Sequence, residues 1–154
     1  MFNILFLNVY ANQKAELKKC EIDCVACTTE SLNCALKCFE SFLALEKGTK
    51  HYSVMEKCVR SCTECALACH LCEEECEEAQ KDSKRIAHLK PLLEKCEHHC
   101  QECVKVCAEC QKDCEKEYKE TGNPLFQKSA HECEKNHKVA KQCADTCKSS
   151  LKHL

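Results

Sequence analysis

The chain has 154 residues, a length that suits one domain, and a formal net charge of -2, which supplies no field to attract nucleic acid or an anionic membrane. Twenty residues are cysteine, while Leu, Ile, Val and Phe make up only about a fifth of the chain, too little for an ordinary aliphatic core, so thiols must fill part of the interior. Two glycines and two prolines among abundant Glu, Lys, Ala, Gln and Leu argue against a loop-rich secreted disulfide scaffold.

The chain opens with an apolar run, Met1 to Ala11, that has no Lys or Arg ahead of it and is shorter than a usual signal peptide. We read it as a short packing segment. Val9-Tyr10-Ala11 loosely imitates a cleavage site, which leaves export open. No stretch is long enough to span a bilayer, so no membrane partner is expected. The expected compartment is cytoplasmic, where cysteines stay reduced.

Breakers then divide the chain. Gly48 suits a helix C′ position after Glu46-Lys47. Ser53-Val54-Met55-Glu56 has capping-box form, with Ser53 as N-cap. Asp82-Ser83 is a weaker signal, because a helix capped there would contain Pro91; the second helix is expected to end near Lys81, with a connector over 82–90 and Pro91 opening the third helix. Gly122-Asn123-Pro124 supplies a C′ glycine, an N-cap and an N1 proline in succession. The expectation is all-α: an up-down antiparallel four-helix bundle with an additional short N-terminal segment, its helices at about 12–47, 54–81, 91–120 and 124–152.

The cysteines share one frame. The second helix carries Cys58, Cys62, Cys65, Cys69, Cys72 and Cys76, in steps of 4-3-4-3-4. The third repeats those steps as Cys96, Cys100, Cys103, Cys107, Cys110 and Cys114. The first has Cys20, Cys24, Cys27, Cys34 and Cys38, with Ser31 in the missing slot. The fourth reads Ser129, Cys133, Asn136, Ala140, Cys143, Cys147. No cysteine lies outside this frame. A sustained 3.5-residue period places the stripe on the inner seam of a left-handed bundle. Leu17, Leu45, Met55, Leu89, Leu93, Phe126 and Leu154 continue it at its ends as core plugs. The acidic run Glu73 to Glu78, interrupted by Cys76, reads as a solvated face.

Twenty small thiols bury less apolar area than leucines would, so packing alone does not account for them. Thiols one turn apart on a helix have Cβ atoms ~5–6 Å apart. A disulfide wants about 3.8 Å. Only cross-helix bridges would form, giving a redox-responsive disulfide-forming structural bundle as one alternative. Thiolates also select soft ions: Cu(I), Zn(II) or iron–sulfur clusters. Cu(I) accepts few ligands, and one Cu(I) replacing one thiol proton leaves the core neutral, so multiple ions per chain, on the order of twenty, are accommodated. Zinc wants four tetrahedral ligands, which facing helices supply layer by layer, so zinc or cadmium sequestration is the other alternative. Iron–sulfur spacings are absent.

His51 and Met55 stand at the end where helices two and four begin, near His131, where imidazole or thioether sulfur could pass Cu(I) inward; surface histidine and core methionine is the plainer reading. His88, His98, His99 and His153 gather at the other end, with His70 and His98 facing solvent. No carboxylate or histidine sits among the stripe cysteines, so no acid–base pair and no enzyme activity is expected.

The doubled C-x-x-x-C-x-x-C, Cys58 to Cys65 and again Cys96 to Cys103, resembles the bacterial copper storage proteins, cysteine-lined four-helix bundles. The resemblance spans residues 20–147. It implies Cu(I) storage on core thiolates, a role in copper sequestration or detoxification, and a homo-oligomer, with the tetramer common in that family. The lack of an export signal is similar to the family's cytosolic branch. The chain departs from the pattern at Ser129, Asn136 and Ala140, so the resemblance does not imply a continuous copper track along helix four.

Overall fold

The computed structural model describes residues 2–82 and 88–153, with side chains from residue 8 on. Among the described residues the chain forms four helices, α1 (Phe2–Leu43), α2 (Lys50–Lys81), α3 (Leu89–Thr121) and α4 (Pro124–Lys152), and no strand. Each packs against its neighbours in sequence and α4 closes the ring against α1. Partners across each interface run in opposite order, for example Cys20 with Cys147 and Cys34 with Cys133. The molecule is therefore an antiparallel four-helix bundle.

The N-terminal segment is not a separate element; it forms the first turns of α1, and Tyr10 packs against the core. At its other end α1 stops at Leu43, before the expected 47. Backbone bonds from Ala44 to Ser41 and from Leu45 to Phe42 tighten the last turn, and Gly48 takes a left-handed φ of 81° in the following turn rather than at the helix end. The start of α2 also differs from the sequence reading. The N-cap is Thr49, not Ser53: its hydroxyl accepts from the Tyr52 amide at 3.2 Å and donates to the Glu46 carbonyl at 2.9 Å. Threonine offers the same hydroxyl acceptor as serine, and starting here adds His51 to the helix.

α2 ends at Lys81 with extended backbone at Asp82. Pro91 lies in the first turn of α3 rather than opening it, where its missing N–H has no intrahelical acceptor to lose. Ser83 and Leu154 lie outside the described residues. At the α3–α4 turn, Gly122 takes φ 66° and its amide closes on Tyr118, while the Asn123 side chain accepts from the Leu125 amide at 3.0 Å.

The core follows the 4-3 stripe. All twenty cysteines are buried, and Leu17, Met55, Leu89, Leu93 and Phe126 close the two ends, with Leu45 partly buried beside them. Among the described residues no buried side-chain nitrogen or oxygen lacks a partner.

Substituting Asn123→Ala should cost about 1 kcal/mol, read as a fall of ~2–4 °C in thermal melting by circular dichroism. Gly122→Ala should lose a similar amount, ~1–2 kcal/mol, through left-handed strain. Unchanged melting in both variants would mean that this turn does not set the α3–α4 register.

Candidate metal centre

Each helix delivers its thiols to the axis at alternating steps of three and four residues, so the four stripes stack as layers. At one end Cys20 lies 2.8 Å from Cys147 and belongs with Cys76 and Cys96 to one close group. The next layer joins Cys24, Cys143 and Cys100, with the Cys24 and Cys100 sulfurs at 3.5 and 3.0 Å from that of Cys143, and Cys72 beside Cys24. Cys27 then meets Cys69 at 3.0 Å, with Cys103 against both and Ala140 completing the layer without sulfur. Toward the other end Cys34 meets Cys62 at 3.1 Å and Cys133 at 3.7 Å, with Cys110 beside Cys133. The last sulfur layer holds Cys58 and Cys114 at 3.6 Å, with Cys38 close to Cys34 and Cys133.

Four sets of three thiols converge tightly enough to share an ion, their sulfurs all within 4.8 Å: Cys20-Cys24-Cys147, Cys20-Cys76-Cys96, Cys24-Cys100-Cys143 and Cys34-Cys38-Cys133. A metal–thiolate bond of ~2.3 Å places tetrahedral sulfurs about 3.8 Å apart. The sulfurs are thus near coordinating distance, and the closest pairs need to open by only about 1 Å. The shared members Cys20 and Cys24 link three of the sets into one chain of sites. All twenty cysteines are free.

Packing thiols against thiols divides their acidity. Hydrogen bonding chiefly from Cys20 draws Cys76 and Cys96 down to about 6, and bonding chiefly from Cys133 does the same for Cys114. Cys62 and Cys100 are also lowered, chiefly by Cys107 and Cys143. The donors move the other way: Cys20 is pushed up chiefly by its contact with Cys147, Cys24 by Cys100, and Cys133 by Cys110. One sulfur gives up its proton because its neighbours donate to it, and each further buried negative charge is opposed. A soft cation placed among them removes that opposition.

Three of the four interruptions of the stripe, Ser31, Ser129 and Asn136, are polar and paired; the fourth is Ala140. The Ser31 hydroxyl donates to Asn136 Oδ1 at 2.9 Å, and the Asn136 amide donates to Cys107 at 3.2 Å and reaches Cys62 at 4.0 Å. Ser129 donates to Ser41 at 3.2 Å.

Both ends carry buried carboxylates that the sequence reading missed. Glu117, nearly fully buried, pairs with His51 Nδ1 and with Lys50 at 3.1 Å. It occupies the slot after Cys114, and His51 the slot before Met55, so extending the 4-3 frame by one step on α2 and α3 would have found both. Glu16 lies off the frame; it accepts from Ser150 at 2.8 Å, and its hydrogen bond with Lys19 is the chief cause holding its carboxyl below the usual range. Met55 is fully buried, one turn from Cys58, while the His51 ring stands edge-on to Phe126 at 5.9 Å. His131 does not join them; it is exposed and faces Glu134. His70 is exposed between Glu73 and Glu74.

No helix among the described residues is long and apolar enough to cross a membrane. The bundle is a cysteine-rich chain whose buried thiol clusters are close enough to hold metal ions. No protein-family model matches this chain, and no curated protein or solved structure is similar to it.

Proposed function

We propose that this protein binds and stores Cu(I) on the thiolates of its core, sequestering copper rather than catalysing a reaction, and that it works in the cytoplasm. The observation that carries this reading is the linking of buried three-sulfur sets through Cys20 and Cys24, with no carboxylate or imidazole among them. Thiolate softness restricts the candidates to Cu(I), zinc-like ions and iron–sulfur clusters. Charge then favours Cu(I): a monovalent ion per thiolate leaves the dry core neutral, whereas Zn(II) held by four thiolates leaves two negative charges in each layer. His51 and Met55 stand between solvent and Cys58, where they would hand ions inward, with Glu117 holding the imidazole in place.

Zinc sequestration is favoured by one observation: three layers offer four cysteines each, namely Cys20-Cys76-Cys96-Cys147, Cys24-Cys72-Cys100-Cys143 and Cys34-Cys62-Cys110-Cys133. Those layers set the contrast in capacity. Anaerobic titration of reduced apoprotein with Cu(I) against a competing chelator should saturate well above five ions per chain, at about one per thiol if each sulfur bridges two ions. Saturation at about three ions per chain, with bound zinc resisting displacement by Cu(I), would favour zinc.

The outer surface supports self-association. Val25, Leu32, Leu36, Phe39 and Leu43 are exposed on α1 in steps of 7-4-3-4, a second heptad seam facing away from the core, and Leu67 and Leu71 flank it on α2. A second heptad seam on a helix already packed inward is what a coiled-coil contact with another copy requires. Light scattering after size exclusion should give a multiple of the 17.6 kDa chain mass. Leu36→Lys should shift it toward the monomer without loss of helicity. A monomeric wild type would dismiss this interface.

A further inference from the structure

We infer that the thiol core is two metal compartments, not one, and that Asn136, braced by Ser31, is the partition between them. The inference rests on the metal-binding reading above and concerns how the same thiols are organised. Buried residues fall into two contact groups. One holds Cys20, Cys24, Cys27, Cys143 and Cys147 with the facing thiols Cys65 to Cys76 and Cys96 to Cys107. The other holds Cys34, Cys38, Cys58, Cys62, Cys110, Cys114 and Cys133.

The boundary falls where α1 and α4 present no sulfur. Ser31 separates Cys27 from Cys34, and Asn136 with Ala140 separates Cys133 from Cys143. On that side a polar bridge replaces the thiols, running from the Ser31 hydroxyl to the Asn136 carbonyl oxygen and from the Asn136 amide to sulfur. The α2 and α3 stripes continue past the boundary, where Cys62 of the smaller group meets Cys107 of the larger. The Asn136 amide is aimed at those two sulfurs, at 3.2 Å from Cys107 and 4.0 Å from Cys62.

A soft ion moves through such a core by exchanging one thiolate for the next, so each step needs a free sulfur lone pair ahead. At the crossing the amide hydrogens compete for the Cys62 and Cys107 lone pairs. An amide nitrogen has no lone pair to offer the ion in return. Ser31 keeps the amide from turning its oxygen toward the sulfurs, because that oxygen is already its acceptor. The Ser31, Asn136, Cys62 and Cys107 side chains are all fully or almost fully buried, so the crossing is closed to bulk solvent. Asn136 is thus a positioning residue that ligates no ion.

The test is hydrogen–deuterium exchange mass spectrometry on the full chain, titrated anaerobically with substoichiometric Cu(I). In the wild type, slowing of exchange should appear first in one block and only later in the other. The two blocks are the segments around Cys20–Cys27 with Cys143–Cys147, and those around Cys34–Cys38, Cys58–Cys62, Cys110–Cys114 and Cys133. Their difference at partial loading should be about tenfold or more. In Asn136→Cys, which extends the sulfur line through the boundary, both blocks should slow together. Ser31→Ala, a smaller change that frees the amide, should narrow the gap even if the first variant does not fold. Even slowing across both blocks in the wild type overturns the partition and leaves copper binding standing, as does an Asn136→Cys variant that folds and keeps two phases. No slowing anywhere overturns the metal reading and the partition with it.

Discussion

Four stripes with a 3.5-residue period can face one axis only if the helices lie nearly parallel and supercoil gently, and that requirement fixes which side chains meet in the dry interior. Here the inward positions belong to sulfur. Because thiols are small, the helices draw close enough for Cys20 and Cys147, or Cys27 and Cys69, to touch across the bundle. A thiol-packed core buries little apolar area per residue. The apolar plugs at the ends, Leu17, Leu89 and Leu93 at one and Met55 and Phe126 at the other, therefore seal it against water. Sealing and softness act together: exclusion of water makes an unpaired thiolate costly and a thiolate paired with a soft cation favourable.

Acidity, charge and capacity share that cause. A group of thiols at contact distance cannot all ionise, so Cys76 and Cys96 are lowered while Cys20 is raised, as one connected set of donors and acceptors. A monovalent cation that replaced a proton would preserve neutrality, and many such sites would then be compatible with one core. Where the set is broken, the chain substitutes Ala140 or polar groups that satisfy one another, Ser31 with Asn136 and Ser129 with Ser41, so that among the described residues no buried side-chain nitrogen or oxygen is left unpaired. At the Met55 end, Glu117 carries its charge on the stripe itself but meets His51 and Lys50 at the rim, where pairing is available.

Most of this was legible in the sequence because periodicity encodes facing. The 4-3 rhythm of Cys58 to Cys76 and Cys96 to Cys114 specifies helix, orientation and burial together, and Gly122-Asn123-Pro124 specifies its turn through three independent backbone preferences. The start of α2 was harder to read: Thr49 and Ser53 both precede helix-forming residues, and only the hydroxyl contact with Tyr52 distinguishes them. The pairing of His51 with Glu117 escaped because, beyond the cysteines, apolar residues alone marked the frame, and buried carboxylates are rare. Glu16 escaped because it lies beside the frame, and its partner Ser150 comes from the opposite end of the chain. Ser31 and Asn136 were visible as gaps, but that they fill the same layer and bond one another follows only from the antiparallel pairing of α1 with α4.

The central claim is that the ions sit among inward sulfurs and nowhere else. X-ray absorption at the copper edge of the anaerobically loaded protein examines that environment directly. A first shell made of sulfur alone, with a short metal–metal vector beyond it from thiolates that bridge neighbouring ions, is the predicted result. A shell dominated by nitrogen or oxygen, or isolated ions with no metal neighbour at high loading, would contradict the account.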